Sequence, residues 1–190
     1  MKTPFVTKAQ IDEIVKTYPT PFHIYDEKGI LDNLKNLQAA FAWNKGFKEY
    51  FAVKATPTPA IVKLLYDHGC GTDCSSYTEL MLSDKLGIKG ENIMFSSNAT
   101  PPQDFVYASK LGAIINLDDI SHIAFLEKTA GIPEKVCCRY NPGSFSISNR
   151  IMDDPSNAKY GFTKAQLFEG FEILKEKGVK SFGLHAFLSS

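Results

Sequence analysis

Residues 50–59 have the sequence Tyr-Phe-Ala-Val-Lys-Ala-Thr-Pro-Thr-Pro. The apolar run before Lys54 is typical of a strand buried on both faces, and the prolines after it end the strand. A lysine in such a position loses hydration, and it avoids that cost by pairing with an anion or by releasing its proton. A deprotonated amine is a nucleophile toward carbonyls, so the stretch indicates a Schiff-base lysine. The alternative is a lysine whose head extends into water.

The composition is that of an ordinary globular protein without net charge. The chain has 190 residues, with 21 basic and 21 acidic side chains, which suffices for one sizeable domain or part of a larger one. The balanced charge gives no reason to expect nucleic acid or an anionic membrane as a partner. No secretory signal is evident, and no apolar run approaches the roughly 20 residues of a membrane span. We therefore expect a cytoplasmic protein.

The four cysteines do not have the spacing of a zinc site, because Cys70 and Cys74 are separated by three residues instead of two. Cys137 and Cys138 are adjacent in a predicted strand and point to opposite faces. In a reducing cytosol such residues are mostly buried as small hydrophobic side chains. We therefore predict buried thiols and propose neither a metal site nor a disulfide.

Hydrophobic periodicity predicts a regular alternation of strands and helices. The predicted helices are 8–16, 28–41, 60–68, 77–86, 102–111, 121–130 and 164–177, and the predicted strands are 22–25, 49–53, 71–75, 93–96, 113–117, 135–140 and 181–188. From residue 49 onward this alternation favours an α/β fold with a parallel sheet of about six strands. Neither a dinucleotide fingerprint nor a Walker loop is present. The alternation alone does not separate a barrel from a doubly wound sheet.

The lysine stretch resembles the cofactor-lysine signature of the fold-type III, alanine racemase-like enzymes that use pyridoxal 5′-phosphate. It is most similar to the diaminopimelate decarboxylase group, because Pro59 and a helix follow the lysine. Residues 20–26, Thr-Pro-Phe-His-Ile-Tyr-Asp, are similar to the entry segment of that group. The resemblance implies a (β/α)8 TIM-like barrel, pyridoxal 5′-phosphate as cofactor, and Lys54 as the residue that binds it.

In barrels of this kind the chemistry lies at the carboxyl ends of the strands. Apolar runs end there in the polar residues Lys54, Asp73, Ser75–Ser76, 96–98, 139–141 and 185–190. Residues 71–80 resemble the family segment that places an aspartate near the cofactor lysine, which assigns Asp73 to the cofactor site. The alternative for Asp73 is a cap of the following helix. Tyr77 and Thr78 replace a glycine pair of the family.

Two further segments extend the resemblance. Arg139 begins Arg-Tyr-Asn-Pro, which matches an Arg-Val-Asn-Pro segment of the family. Its guanidinium needs an anion, either Asp73 or a group of the cofactor or substrate, and the alternative is a surface ion pair. Residues 158–161, Ala-Lys-Tyr-Gly, resemble a Ser-Lys-Phe-Gly segment that we interpret as structural.

The last predicted strand resembles Gly-Leu-His-x-His-Ile-Gly-Ser of the family. His185 matches the first histidine, and its alternative is a structural strand histidine. Phe187 stands where the family has a histidine that stacks on the pyridine ring. A phenylalanine can stack, but it neither hydrogen-bonds nor carries charge. The resemblance therefore implies that Asp73, Arg139, His185 and Phe187 surround the cofactor together with Lys54.

The length sets a limit on the activity of this chain. A complete barrel needs about 250 residues and eight strands, and about six strands are predicted here. We expect an approach segment at 1–48 and a partial barrel at 49–190, without the C-terminal β domain of the family. The resemblance implies decarboxylation of meso-diaminopimelate to L-lysine, an amino-acid substrate and a homodimer in the full-length family. We expect this chain alone to be inactive.

Three alternatives remain open at this point. A carboxynorspermidine, ornithine or arginine decarboxylase would share the fold. A truncated barrel without catalytic activity would share it too. A class I aldolase is disfavoured, because its Schiff-base lysine is typically on the sixth strand, where this chain has none in the strand core.

Overall fold

A computed structural model describes residues 3–143 and 160–187 and divides into two compact units, Met1–Phe47 and Lys48–Ser190. The first unit contains helices α1 (Lys8–Ile14) and α2 (Glu27–Ala40). Each begins at a side chain that accepts a backbone hydrogen bond, Thr7 for α1 and Asp26 for α2. Such caps satisfy amide groups that have no partner within the helix.

The strand predicted at 22–25 is wrong, because these residues form no strand. Phe22 and Ile24 are half-buried while His23 and Tyr25 are exposed. The segment thus reproduces the alternation of a strand, but it pairs with no strand among the described residues. Periodicity alone does not report whether a pairing partner exists.

The second unit is a sheet of six parallel strands in the order of the sequence, β1-β2-β3-β4-β5-β6. Helices connect successive strands, as the alternation predicted. The elements are β1 (Tyr50–Ala52), α3 (Pro59–Asp67), β2 (Gly71–Cys74), α4 (Tyr77–Lys85), β3 (Ile93–Phe95), α5 (Pro102–Leu111), β4 (Ile114–Leu117), α6 (Ser121–Ala130), β5 (Lys135–Tyr140), α7 (Lys164–Glu176) and β6 (Ser181–Ala186).

One face of the sheet forms the hydrophobic core with the helices. Phe95, Ile115 and Val136 are fully buried on adjacent strands, and they cluster with helix residues such as Phe105 and Leu126. The four cysteines are buried as well, as predicted. Because side chains alternate along a strand, the residues between these core positions point to the opposite face.

The opposite face carries most of the polar strand residues. The strand register places Asp73, Asn116, Arg139 and His185 on this face. In parallel strands the carboxyl ends lie at one edge, so the polar residues at those ends come together. In the two described ranges, no helix is long and apolar enough to cross a membrane.

Candidate functional site

Lys54 lies just beyond the end of strand β1. The strand was expected to run up to Val53, directly before the lysine. Strand β1 ends at Ala52, and a short 3-10 turn, Val53–Ala55, carries the lysine. Val53 is fully buried, whereas Lys54 is exposed and its Nζ donates a hydrogen bond to the Ser75 Oγ at 3.2 Å. The exposed side chain agrees with the alternative in which the lysine head extends into water, so burial gives no argument for a Schiff-base role of Lys54. The turn directs the amine to a place that a small molecule can reach.

The loop between β2 and α4 fixes the hydroxyl that contacts Lys54. The carboxylate of Glu79 accepts hydrogen bonds from the Ser75 amide at 3.0 Å and from the Ser76 hydroxyl at 2.9 Å. Ser76 in turn caps the amino terminus of α4. These bonds hold the backbone on both sides of Ser75, so its hydroxyl has a defined position beside the lysine amine.

Asp73 is a partly buried carboxylate at the same edge. The Ser96 hydroxyl donates a hydrogen bond to its Oδ1 at 2.5 Å. Burial raises the pKa of Asp73, while the Ser96 hydrogen bond and the basic side chains of Lys54 and His185 oppose that rise. The alternative of a helix cap is wrong, because Ser76 caps α4. Asp73, Lys54 and His185 thus lie within electrostatic reach of one another.

Arg139 is held by a carboxylate that the sequence analysis missed. Its Nη1 donates a hydrogen bond to the Asp118 Oδ1 at 2.9 Å, and the two side chains are only 14% and 4% exposed. The partner is therefore Asp118 and not Asp73, and the alternative of a surface ion pair is wrong. Asp118 follows the apolar run 114–117 directly, so the criterion that selected the other strand-end residues would also have found it.

Two aromatic rings lie against the Arg139 guanidinium. The Arg139 Cζ is 5.1 Å from the ring centroid of Tyr160 and 5.1 Å from that of Phe187. Both distances are within the range of about 6 Å in which a cation and a ring attract each other. Phe187 follows β6 and is 51% exposed, so part of its ring remains accessible.

His185 lies opposite Arg139 in the register of β5 and β6. Burial and the positive charge of Arg139 lower its pKa, whereas the carboxylates of Asp73 and Asp118 act against this change. The neutral imidazole is therefore favoured at neutral pH. The structure brings Lys54, Asp73, Arg139, His185 and Phe187 to one edge of the sheet, as predicted, with Asp118 as an additional member.

Backbone hydrogen bonds fasten the loop before α7 to this edge. The Gly161 amide donates to the Asp118 carbonyl at 2.8 Å, and the Phe162 amide donates to the Arg139 carbonyl at 2.7 Å. Asn141 also serves this loop, since its Nδ2 donates to the Tyr160 carbonyl at 2.8 Å. The structural interpretation of Tyr160 and Gly161 is consistent with these bonds, while residues 158, 159 and 188–190 lie outside the described residues.

A separate cavity lies at the other ends of the strands. Its volume is about 240 Å³, and its walls include Gly112, Ala113 and Ile114 before and within β4, and Gly131 and Lys135 before and within β5. None of the predicted site residues lines it. The polar residues at the carboxyl ends, and not this cavity, are therefore the candidate site.

Comparison with known proteins places this chain in a family. The chain is 40% identical over 178 residues to Protein TabA of Pseudomonas amygdali pv. tabaci, covering 94% of this chain and 41% of that protein. It is 27% identical over 187 residues to a diaminopimelate decarboxylase of Thermoplasma acidophilum, covering 97% of this chain and 45% of the relative. The chain thus spans less than half the length of these curated relatives.

The solved structure of Helicobacter pylori diaminopimelate decarboxylase complexed with L-lysine matches with a TM-score of 0.83. The sequences are 26% identical, and the match covers 95% of this chain and 47% of that one. This likeness confirms the predicted fold: the described residues form six of the eight strands of a (β/α)8 barrel, and the sheet that they form is not closed. The sequence profile of the pyridoxal-dependent decarboxylases, pyridoxal binding domain, matches residues 28–190. The chain belongs to the pyridoxal-dependent decarboxylase family.

Proposed function

We propose that this chain is the cofactor-binding part of a pyridoxal 5′-phosphate-dependent amino-acid decarboxylase, and that Lys54 binds the cofactor covalently. The observation that supports this proposal most directly is the exposed Lys54 amine, 3.2 Å from the Ser75 hydroxyl and within electrostatic reach of Asp73. An accessible amine can attack an aldehyde, and an adjacent carboxylate favours the charged product of that attack.

The other residues at this edge fit the cofactor chemically. When bound, pyridoxal 5′-phosphate supplies an electron sink for the electrons released as a carboxylate leaves the substrate. The exposed ring of Phe187 offers a surface for stacking on an aromatic ring. Asp73, held by Ser96, places a carboxyl group close to the Lys54 amine.

Arg139 and His185 have supporting roles in this proposal. Arg139 already has Asp118 as its anion, so it orders the edge of the site and is not a free cation awaiting a substrate carboxylate. His185, whose pKa is lowered, presents a neutral imidazole that donates or accepts a hydrogen bond at neutral pH. Among the described residues at this edge, the positive charge available to a substrate or cofactor therefore lies mainly at Lys54.

The substrate we propose is meso-diaminopimelate, with L-lysine and CO2 as products. Relatives named diaminopimelate decarboxylase and the L-lysine complex of one of them support it. Protein TabA at 40% identity and mouse antizyme inhibitor 1 at 29% identity match as well, so an ornithine, arginine or carboxynorspermidine decarboxylase remains the alternative. Homodimer formation and a cytoplasmic location also stay proposals.

The covalent role of Lys54 is tested by borohydride reduction after incubation with pyridoxal 5′-phosphate, followed by mass spectrometry of the peptides. We expect the label to concentrate on Lys54, and Lys54→Arg to remove most of it. Lys63→Arg is the matched control, because Lys63 is also an exposed lysine near the start of the sheet, on α3. Label spread evenly over the lysines, or unchanged in Lys54→Arg, would show that the assignment is wrong.

The substrate is tested on a chain of the full length of the relatives, because this chain spans less than half of them. CO2 release is measured with meso-diaminopimelate, ornithine, arginine and carboxynorspermidine in parallel. Fastest CO2 release from meso-diaminopimelate supports the proposed substrate. Faster release from another amino acid would show that the proposed substrate is wrong. The 190-residue chain is expected to release none.

A further inference from the structure

Asp118 is a buried charge that the proposed chemistry does not use. It is 3% exposed, follows β4 directly, and forms its salt bridge with Arg139 at 2.9 Å. Desolvating a carboxylate and a guanidinium is costly, and hydrogen-bonded pairing offsets the cost only when the geometry is good. A pair kept in this position therefore calls for a reason other than stability.

The contacts of Arg139 supply that reason. Its guanidinium lies 5.1 Å from each of two ring centroids, one from the loop before α7 (Tyr160) and one after β6 (Phe187). A guanidinium is planar and attracts aromatic faces, so its position determines where the two rings lie. Asp118 binds the guanidinium, and the guanidinium contacts both rings.

We propose that Asp118 is a positioning residue that acts through Arg139 to hold Phe187, and with it Tyr160, as an aromatic platform for the cofactor ring. This inference rests on the proposed binding of pyridoxal 5′-phosphate at Lys54. In this proposal the Asp118–Arg139 pair orients the platform. The platform here is a phenylalanine, whose side chain has no polar atom that a hydrogen bond could hold. The guanidinium substitutes for that missing hydrogen bond.

The backbone around Asp118 supports the same conclusion. Its carbonyl accepts the Gly161 amide at 2.8 Å, next to the residue that supplies one of the rings. At Gly161 φ is +86°, and an added Cβ would lie 3.1 Å from the Arg139 carbonyl oxygen. Asp118 thus contacts the loop of Tyr160 through its backbone carbonyl and Arg139 through its side chain, so both parts of the platform meet at this position.

The first test is titration of the 190-residue chain with pyridoxal 5′-phosphate, followed by circular dichroism of the bound cofactor. Asp118→Asn keeps the shape of the side chain but removes its charge, and we expect it to weaken binding by about threefold or more and to reduce the cofactor's dichroic band. Asp119→Asn is the matched control, since Asp119 is the next residue and its carboxylate binds Ser121, not Arg139. Equal effects of the two substitutions would overturn the proposal.

A double-mutant cycle tests the route through Phe187. In a Phe187→Leu background, Asp118→Asn should have little further effect on the dichroic band, because the ring that it positions is gone. The same fold-change in both backgrounds would show that Asp118 does not act through Phe187. Borohydride labelling of Lys54 is measured on every variant, so that failure of the platform is distinguished from failure of cofactor binding at the lysine.

A cofactor-free measurement covers the case in which the chain does not retain pyridoxal 5′-phosphate. The unfolding equilibrium constant is measured for Arg139→Met, Phe187→Leu and the double variant. We expect a coupling of about threefold or more, because each substitution removes the same contact. Additive effects would show that the guanidinium does not hold the ring, which would overturn the proposal independently of any ligand.

Discussion

The surroundings of His185 disfavour its protonated form. Burial and Arg139 lower its pKa from the ordinary value of 6.5. Between that lowered pKa and about 6.5, the unfolded chain binds more protons than the folded chain, so stability is lost as the pH falls through this range. We expect His185→Gln to remove this part of the pH dependence, measured as the change in urea midpoint between about pH 7 and about pH 5.

His23→Gln is the control for this prediction, because His23 is exposed in the first unit. It should leave the pH dependence as it is in the parent chain. If His185→Gln loses as much stability on acidification as the parent chain does, then the charge of His185 does not differ between the folded and unfolded states.

Asn116 places a polar amide inside strand β4. It is 2% exposed, and neither its Oδ1 nor its Nδ2 has a hydrogen-bond partner in the described part of the chain. A buried polar group without a partner costs about 1–3 kcal/mol. We expect Asn116→Leu, which has a similar size and no polar atom, to raise the free energy of unfolding by about 1 kcal/mol in urea denaturation. A lower free energy of unfolding would show that the amide has a partner, such as a buried water.

Strands β1 and β2 approach each other closely at a glycine. A Cβ added at Gly71 would lie 2.5 Å from the Tyr50 ring and 2.7 Å from the Asn92 carbonyl oxygen. The Tyr50 hydroxyl donates a hydrogen bond to the Glu91 carbonyl at 2.6 Å, which keeps the ring in place. We expect Gly71→Ala to lower the free energy of unfolding by about 1–3 kcal/mol, as overpacking does.

Urea denaturation measures this effect, with Gly46→Ala as the comparison. At Gly46 the nearest atom to an added Cβ is 3.5 Å away, on the Asn44 side chain. That substitution should change the stability by much less. Equal effects would mean that the β1–β2 contact relaxes without cost.

The sequence predicted the strands and helices of the second unit well, because apolar runs and helical periodicity report burial directly. The prediction of a strand at 22–25 failed because alternation does not reveal whether a strand has a partner. The sequence left open whether Lys54 is buried or exposed, because periodicity did not show that the strand ends at Ala52 and that a 3-10 turn follows. The Asp118–Arg139 pair joins residues 21 positions apart, and only the register of β4 with β5 brings them together.

At the scale of the whole molecule, the core face of the sheet is covered at β5 but not at β6. On β5, Val136 and Cys138 are fully buried, whereas their register partners on β6, Phe182 and Leu184, are 39% and 63% exposed. Among the described residues, β6 pairs with β5 alone. An edge strand with exposed apolar side chains and free backbone groups is a site for pairing with another chain.

From the exposed β6 edge we predict that the isolated chain associates with itself. We expect Leu184→Lys to reduce concentration-dependent association in sedimentation velocity, because a charge on an edge strand opposes strand pairing. Its effect on the free energy of unfolding should stay within about 0.5 kcal/mol, since the side chain is largely exposed. Val106→Lys is the matched control, because Val106 is 48% exposed on helix α5, away from the sheet edge. If both substitutions reduce association equally, general surface hydrophobicity and not the β6 edge is the cause.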